Sequence, residues 1–150
     1  MILIRDMRLE DIFYVSKNMR QADKIEVKLI GGLSPYASLL HSYNGSIKKW
    51  TVLEDGIPIA CFGVGAKNLV IGEGIVWFLG TDRVEKKARV FALMAMNYIH
   101  KMYRYCSVLY NITHSKNKKA ITLLKYLGFS FDPPIDVKGN MFIPFFRENV

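Results

Sequence analysis

The chain has 150 residues, enough for one domain with a hydrophobic core of its own. Hydrophobic residues make up 51% of it and charged residues 23%, which argues against a disordered or fibrous protein. Lysine and arginine number 21 against 13 aspartate and glutamate residues, and the net charge of +8 favours an anionic partner: nucleic acid, an acidic protein surface or a phosphorylated cofactor.

Patterns typical of membrane or disulfide-rich proteins are missing from the sequence. No apolar run approaches the roughly 20 residues that span a bilayer, and the first residues lack the order of a signal peptide. Cys61 and Cys106 are too few for a disulfide framework, so we expect buried free thiols in a reducing compartment, with a catalytic cysteine as the weaker alternative. We therefore expect one cytoplasmic domain over residues 1–150, without a membrane partner or a metal site.

The N-terminal third of the sequence predicts one strand and three helices. The strand covers residues 2–5, and an amphipathic helix follows it. A second helix is predicted at about residues 25–29. Ser34 and Pro35 begin the third helix, as an N-cap and a proline at the first helical position.

The middle of the sequence predicts a β-hairpin, a further strand and a long helix. Asp55-Gly56 is a typical hairpin turn between strands at residues 48–54 and 58–65. Another strand covers residues 75–79. Apolar residues at the helical period then predict one continuous helix from about residue 84 to residue 103.

The C-terminal third predicts a short helix set among strands. Asn117 is a good N-cap, and Gly128 follows the last apolar turn, where a left-handed residue usually ends a helix. Pro144 suits a strand at the edge of a sheet, or a bulge. The strands of this third are predicted at residues 107–112, 129–131 and 140–147.

The stretch Asn117-Lys-Lys-Ala-Ile-Thr-Leu-Leu-Lys-Tyr-Leu-Gly-Phe129 resembles the CoA-side motif of the GNAT N-acetyltransferases. The same pattern also fits any capped amphipathic helix, but the predicted order β-α-α-β-β-β-α-β-α-β-β follows the family over the whole chain. The resemblance implies the GNAT fold, of class α/β (α+β), with a mixed, mostly antiparallel twisted sheet of about six to seven strands flanked by helices. It also implies acetyl-CoA as co-substrate and an amine as acceptor.

A narrower resemblance is to small phage-encoded proteins of the internal virion protein A type. It rests on Trp77-Phe-Leu-Gly-Thr81, on residues 121–129, and on the proline-rich and then phenylalanine-rich ending. It implies phage virion proteins as partners and a place in the host cytoplasm or the virion. A homodimer is a further expectation.

In the GNAT family, a loop before the long helix holds the CoA pyrophosphate, with the pattern Arg/Gln-x-x-Gly-x-Gly/Ala. Here the corresponding stretch begins at Arg83 and ends at Ala88, and both of these residues match the pattern. Lys86 stands in place of the first glycine, where a side chain limits close approach of the backbone to a phosphate. Lys86 and Lys87 would compensate by charge, while Glu85 would oppose them; the alternative is a lysine-rich first turn of an ordinary helix.

The resemblance places the thioester against a strand that bulges and splays from its neighbour. The backbone amides of Trp77, Phe78 and Leu79 would polarise the carbonyl, and Asn117 would lie beside the pantetheine arm. The alternative for the two aromatic side chains is a place in the core. Glu73, between two glycines, is the predicted general base, and its alternative is an exposed carboxylate in a turn.

The family's proton donor is a tyrosine seven residues after the motif asparagine, and Leu124 occupies that position here. Tyr126 lies about 200° further round the helix and should face another way. Tyr110 or His114, near the end of the preceding strand, would instead approach the sulfur. The alternative for His114 is to cap a loop.

Three interpretations of function remain. We favour, narrowly, an N-acetyltransferase that transfers an acetyl group from acetyl-CoA to an amine. The second is a catalytically inactive GNAT-like phage protein with a role in virion assembly or DNA ejection, which the missing tyrosine and glycine favour. The third, a nucleic-acid-binding module, is compatible with the charge but lacks a recognition motif and is the least favoured.

Overall fold

The computed structural model describes residues 1–68 and 70–150. The helices of these residues are α1 (Asp11–Lys17), α2 (Gln21–Gly31), α3 (Pro35–Gly45), α4 (Asp82–Lys86), α5 (Ala88–Met102) and α6 (Lys118–Tyr126). The strands are β1 (Ile2–Asp6), β2 (Ser46–Glu54), β3 (Ile57–Asn68), β4 (Glu73–Gly80), β5 (Val108–His114), β6 (Ser130–Phe131), β7 (Ile135–Val137) and β8 (Asn140–Glu148).

All these strands join one sheet, in the order β1-β2-β3-β4-β5-β8-β6, with β7 also paired to β8. Every pairing is antiparallel except that of β4 with β5, which is parallel. The hairpin between β2 and β3 turns through Asp55 and Gly56, whose φ angles of 49° and 83° are those of a type I′ turn. The mixed, mostly antiparallel sheet predicted from the sequence is confirmed.

The parallel pair β4–β5 is short. Only Glu73–Ile75 pair with Val108–Tyr110, and beyond Ile75 the two strands separate. Asn111 extends the contact by one step, since its Nδ2 donates to the carbonyl oxygen of Val76 at 2.7 Å. A sheet that opens in this way leaves backbone hydrogen-bonding groups available between the strands.

Helices cover both faces of the sheet. On one face, α5 buries Phe91, Ala95, Ile99 and Met102 in a core cluster. On the other face, α1 and α3 pack on the sheet around Ile12. Cys61 and Cys106 are buried free thiols, as predicted, and burial raises the pKa of Cys61 to about 12. In the described part of the chain, no helix is both long and apolar enough to cross a membrane.

The long helix predicted for residues 84–103 is in fact two helices. Lys87 separates α4 from α5, with φ −114° and ψ 18°, and its amide turns back to the carbonyl of Val84. Neither glycine nor proline marks the break, so the apolar period continues through it and conceals it. The second helix begins at Ala88.

The C-terminal strands also differ from the prediction. β8 is not an edge strand, because β5 lies on one side of it and β6 and β7 lie on the other. Pro144 is tolerated because it faces the gap between β6 and β7, where its carbonyl accepts from Asp132 N at 3.0 Å. The short β7, which directly follows Pro133-Pro134, brings the sheet to eight strands rather than six or seven.

Candidate active site

A cleft of about 1280 Å³ opens where β4 and β5 separate. Strand β4 contributes residues 75–79 to it and β5 contributes residues 111–113. Further walls come from α2 and α3 on one side of the sheet, and from the N-terminal end of α5 and the length of α6 on the other. The cleft therefore passes through the opening in the sheet and is accessible from both faces.

One edge of β4 presents its backbone to this opening. The N–H of Gly80 donates to Asp23 Oδ2 at 2.8 Å, and the carbonyl of Val76 accepts from Asn111. Both residues therefore direct their backbone groups away from β3. Backbone N–H groups alternate in direction along a strand, so residues two positions apart point the same way. Phe78, two residues from both Val76 and Gly80, therefore also directs its N–H into the opening.

The amides of Trp77 and Leu79 face the opposite way, towards β3, with which β4 pairs in unbroken register from Gly74 to Gly80. The bulge expected in β4 is therefore not found there; the irregular pairing lies further back, between Ala66 and Asn68 of β3. Of the three amides predicted to polarise a carbonyl, the one at Phe78 has the required direction. The side chains of all three residues line the cleft.

Two helix N-termini converge on the cleft from the α5 side. Helix α5 begins at Ala88, and its first intrahelical hydrogen bond is from Phe91 N to Lys87 O, so the amides of its first turn are free. Helix α6 is capped as predicted, with Asn117 Oδ1 accepting from Ala120 N at 3.3 Å. Both ends line the cleft, a geometry that favours an anion.

The basic residues that were predicted to hold a pyrophosphate lie elsewhere. Arg83 donates to Glu54 Oε1 at 2.8 and 3.1 Å, and Lys87 Nζ lies 3.6 Å from Glu54 Oε2. Glu54 belongs to β2 and draws both side chains away from the opening. Lys86 is exposed, and none of these three basic side chains is among the described residues that line the cleft.

Other basic residues line the cleft near the N-terminal ends of α5 and α6. Arg89 from α5 and Lys118 and Lys119 from α6 line the cleft. Lys119 Nζ donates to Glu85 at 2.7 Å, and this hydrogen bond, more than any other influence, lowers the pKa of Glu85. Glu85 also lies 3.5 Å from Arg20 Nη1, so it links α6 to the deeper wall of the cleft.

Glu26 from α2 is a carboxylate that the sequence did not single out. Its Oε1 accepts from Thr113 Oγ1 at 2.7 Å, from His114 N at 2.8 Å and from Asn117 Nδ2 at 3.1 Å. Among the described residues, no hydrogen bond reaches its Oε2, and the side chain is half-buried in the cleft. Glu26 is thus fixed through one oxygen and open through the other.

Two of the predicted catalytic side chains lie together, outside the cleft. Glu73 opens β4 at its paired end, where its carboxylate lies 3.7 Å from Lys67 Nζ. The same ammonium group lies 4.2 Å from the ring centre of Tyr110. Neither Glu73 nor Tyr110 is found among the described cleft-lining residues.

The third predicted catalytic residue, His114, is the last residue of β5 and is half-buried. Its ring packs edge-on against Phe142, with 5.2 Å between ring centres, and its Nδ1 accepts from Lys116 N at 3.3 Å. Its side chain is likewise missing from the described lining, and this geometry is that of a loop cap. Leu124 lines the cleft where the family has a tyrosine. Tyr126, which was expected to face another way, also lines the cleft, although its side chain is 60% exposed.

The sequence matches no protein-family model and no curated protein. Solved structures, in contrast, align over nearly the whole chain. Ribosomal-protein-alanine N-acetyltransferase from Brucella melitensis aligns with a TM-score of 0.74 at 11% identity, over 98% of this chain and 99% of that one. The chain has the GNAT fold.

Two further structures carry the same fold. Spermidine N-acetyltransferase from Vibrio cholerae, solved with CoA and spermine, aligns with a TM-score of 0.69 at 13% identity, over 98% of this chain and 95% of that one. A GNAT-family acetyltransferase from Streptococcus pneumoniae aligns with a TM-score of 0.68 at 11% identity, over 99% of each chain. In GNAT terms, the opening between β4 and β5 is the feature that the resemblance predicted.

Proposed function

We propose that this protein is an N-acetyltransferase that transfers the acetyl group of acetyl-CoA to an amine. The observation that carries the proposal is the convergence, on one cleft, of the Phe78 amide, the α5 and α6 N-termini and the free oxygen of Glu26. A structure of this fold from Vibrio cholerae holds CoA and an amine, which supports the same pair of substrates here. The acceptor amine enters from the α2 side.

The α5 side of the cleft suits the phosphates of acetyl-CoA. Free amides at Ala88 and Arg89 offer hydrogen bonds to the pyrophosphate, and the small side chain of Ala88 lets the backbone approach closely. Arg89, Lys118 and Lys119 supply the positive charge that the sequence had assigned to Arg83, Lys86 and Lys87. Asn117 fixes the start of α6 beside the pantetheine arm.

Phe78 and Glu26 act at the reacting centre. The Phe78 N–H donates to the thioester carbonyl oxygen and stabilises it as it becomes anionic. Glu26 Oε2 accepts one proton from the substrate ammonium, which frees the nitrogen lone pair to form the C–N bond. Glu26 takes the role predicted for Glu73, because Glu73 lies at the paired end of β4.

The C–S bond then breaks, and its electron pair leaves on sulfur. The second proton that the nitrogen loses passes through water to this thiolate, giving an amide and free CoA thiol. Leu124 provides no proton, and none is required from the protein, since a thiolate is a stable leaving group. The proton on Glu26 returns to solvent and restores the carboxylate.

A second candidate follows from Leu124 and Lys86, which replace two residues typical of the family. It is a GNAT-fold phage protein that binds CoA or a virion partner without turnover. It predicts acetyl-CoA binding without release of CoA thiol for any amine.

Thermal unfolding with acetyl-CoA tests the binding step. Ligand at a hundred times its dissociation constant should stabilise the protein by about 2.7 kcal/mol. Arg89→Gln should weaken binding about tenfold, whereas Arg83→Gln should leave it unchanged, because Arg83 is held by Glu54. No shift at millimolar acetyl-CoA rules out the proposal. A shift with no thiol release for any amine leaves only the second candidate.

A further inference from the structure

On the α2 side, where the ammonium ion of the acceptor is proposed to enter, the wall of the cleft carries many apolar side chains. Six apolar side chains line it, beside the polar side chains of Ser38, His41 and Ser42 from α3. We name the apolar part the acceptor arm: Val27, Ile30, Leu33, Ile75, Trp77 and Ile112. Ile30 and Leu33 are 40% and 36% exposed, so apolar surface continues to the solvent-exposed end of α2. An apolar wall favours a hydrocarbon body in the substrate.

Carboxylates are scarce along this wall. The described residues lining the whole cleft include three of them, Asp23, Glu26 and Glu85. Asp23 is 3% exposed, and its carboxylate accepts hydrogen bonds from Arg20, at 2.9 and 3.1 Å, and from the Gly80 amide. Glu85 is paired with Lys119 at 2.7 Å and with Arg20 at 3.5 Å. Of the carboxylates among the described lining residues, Glu26 is the one with an unused oxygen facing the acceptor arm.

From these two observations we propose that the acceptor is a small monoamine with an apolar body. Its ammonium group binds Glu26 Oε2, and its hydrocarbon part lies along Ile30, Leu33 and Trp77. A second ammonium would find no available carboxylate among the described residues of this wall, and an unpaired charge beside hydrocarbon is costly. The net charge of +8 disfavours polycations further. This inference rests on the proposed function and adds the substrate class.

A matched pair of amines tests it, with acetyl-CoA binding and CoA thiol release both measured. Hexylamine and 1,6-diaminohexane differ only in the second ammonium at the far end. We expect kcat/KM for hexylamine to exceed that for the diamine at least tenfold, after correction for the diamine's two equivalent amines. From propylamine to hexylamine, kcat/KM should rise about fourfold per methylene until the arm is filled.

A charge placed in the arm should shift the preference. Ile30→Glu puts a carboxylate on the apolar wall and should move the ratio at least tenfold towards the diamine. Ile25→Glu is the matched control, because Ile25 lies on the same helix, is 41% exposed, and is not among the described residues lining the cleft. It should leave the ratio unchanged.

The outcomes separate this inference from the proposed function. If acetyl-CoA does not bind, both are wrong. If acetyl-CoA binds and the diamine is used as well as hexylamine or better, only the monoamine inference is overturned. It is equally overturned if acetyl-CoA binds and no alkylamine is acetylated, or if Ile30→Glu changes the ratio no more than Ile25→Glu does.

Discussion

Asp11 and Glu26 lie on the first two helices, and each ties its helix to a distant strand by several hydrogen bonds. Asp11 uses both oxygens: Oδ1 accepts from Arg5 at 2.9 Å, and Oδ2 accepts from Arg5 and Arg8 N at 2.8 Å and from Thr51 Oγ1 at 2.6 Å. Glu26 accepts a similar number of bonds, but all on Oε1. The two carboxylates have similar chemistry and different remaining capacity.

The environments explain the difference. Asp11 is 2% exposed, and although burial alone would raise its pKa, hydrogen bonds from Arg5 and Thr51 more than offset this, so the pKa is lowered. Both carboxylate oxygens of Asp11 already accept hydrogen bonds from the protein, so the role of this group is structural. Glu26 lies half-buried beside an opening in the sheet and keeps one oxygen free. Remaining hydrogen-bonding capacity, rather than burial of a charge, separates the catalytic candidate from the structural one.

The largest expected effect is on catalysis, from Glu26→Gln. Glutamine keeps an oxygen for the donors on Thr113 and Asn117, but it cannot accept the substrate's proton, so kcat/KM should fall by about a thousandfold. The unfolding midpoint should change little. Steady-state thiol release and thermal unfolding measure the two effects.

Glu73→Gln is the matched control for that change, since Glu73 lies on β4 but at its paired end. Its kcat/KM should remain at the wild-type level. A large loss in Glu73→Gln together with normal activity in Glu26→Gln would restore the base predicted from the sequence and reverse the comparison.

The next effect is on stability, from Asp11→Asn. Removing one partner of a fully buried ion pair costs roughly 3–5 kcal/mol. Here we expect about 2 kcal/mol, because the Arg5 side chain is 26% exposed and recovers water contacts. Urea unfolding measures it. Glu10→Gln, one residue away and 71% exposed, should change stability by less than about 0.5 kcal/mol. An equal effect of the two substitutions would show that the Asp11 bonds contribute nothing special.

Local signals were sufficient for much of the fold. Ser34 caps α3 by accepting from Ala37 N at 3.2 Å, and Gly128 ends α6 with φ 85°. Each of these features is decided within about four residues, which sequence patterns can report. The place of Pro144 depends instead on which strands lie alongside, and no local pattern records that. The break at Lys87 carries neither glycine nor proline, so no local signal marks it either.

The site was harder to predict for the same reason. Arg83 is drawn aside by Glu54, which lies 29 positions earlier in the chain. Glu26 is fixed by donors 87 to 91 positions later. Asn117 was found because it is also an N-cap, a local role. Glu26 has no local role, so nothing in its surrounding sequence distinguishes it from a solvent-exposed glutamate on a helix.

The smallest expected effect is the pH-dependent part of the Asp11 contribution. Because the folded pKa of Asp11 is lowered, the unfolded chain binds a proton at a higher pH than the folded protein does. Its stabilisation is therefore complete above the unfolded value of about 4 and is lost as the pH falls through the folded pKa. The difference in unfolding free energy between wild type and Asp11→Asn should be greatest near pH 7. It should begin to shrink at about pH 4 and fall further as the pH drops through the lowered folded pKa, below which Asp11 is as neutral as asparagine. Subtracting the two urea curves at each pH removes the titration of other carboxylates. A difference that stays constant down to the lowest pH would mean that geometry, and not charge, makes Asp11 structural.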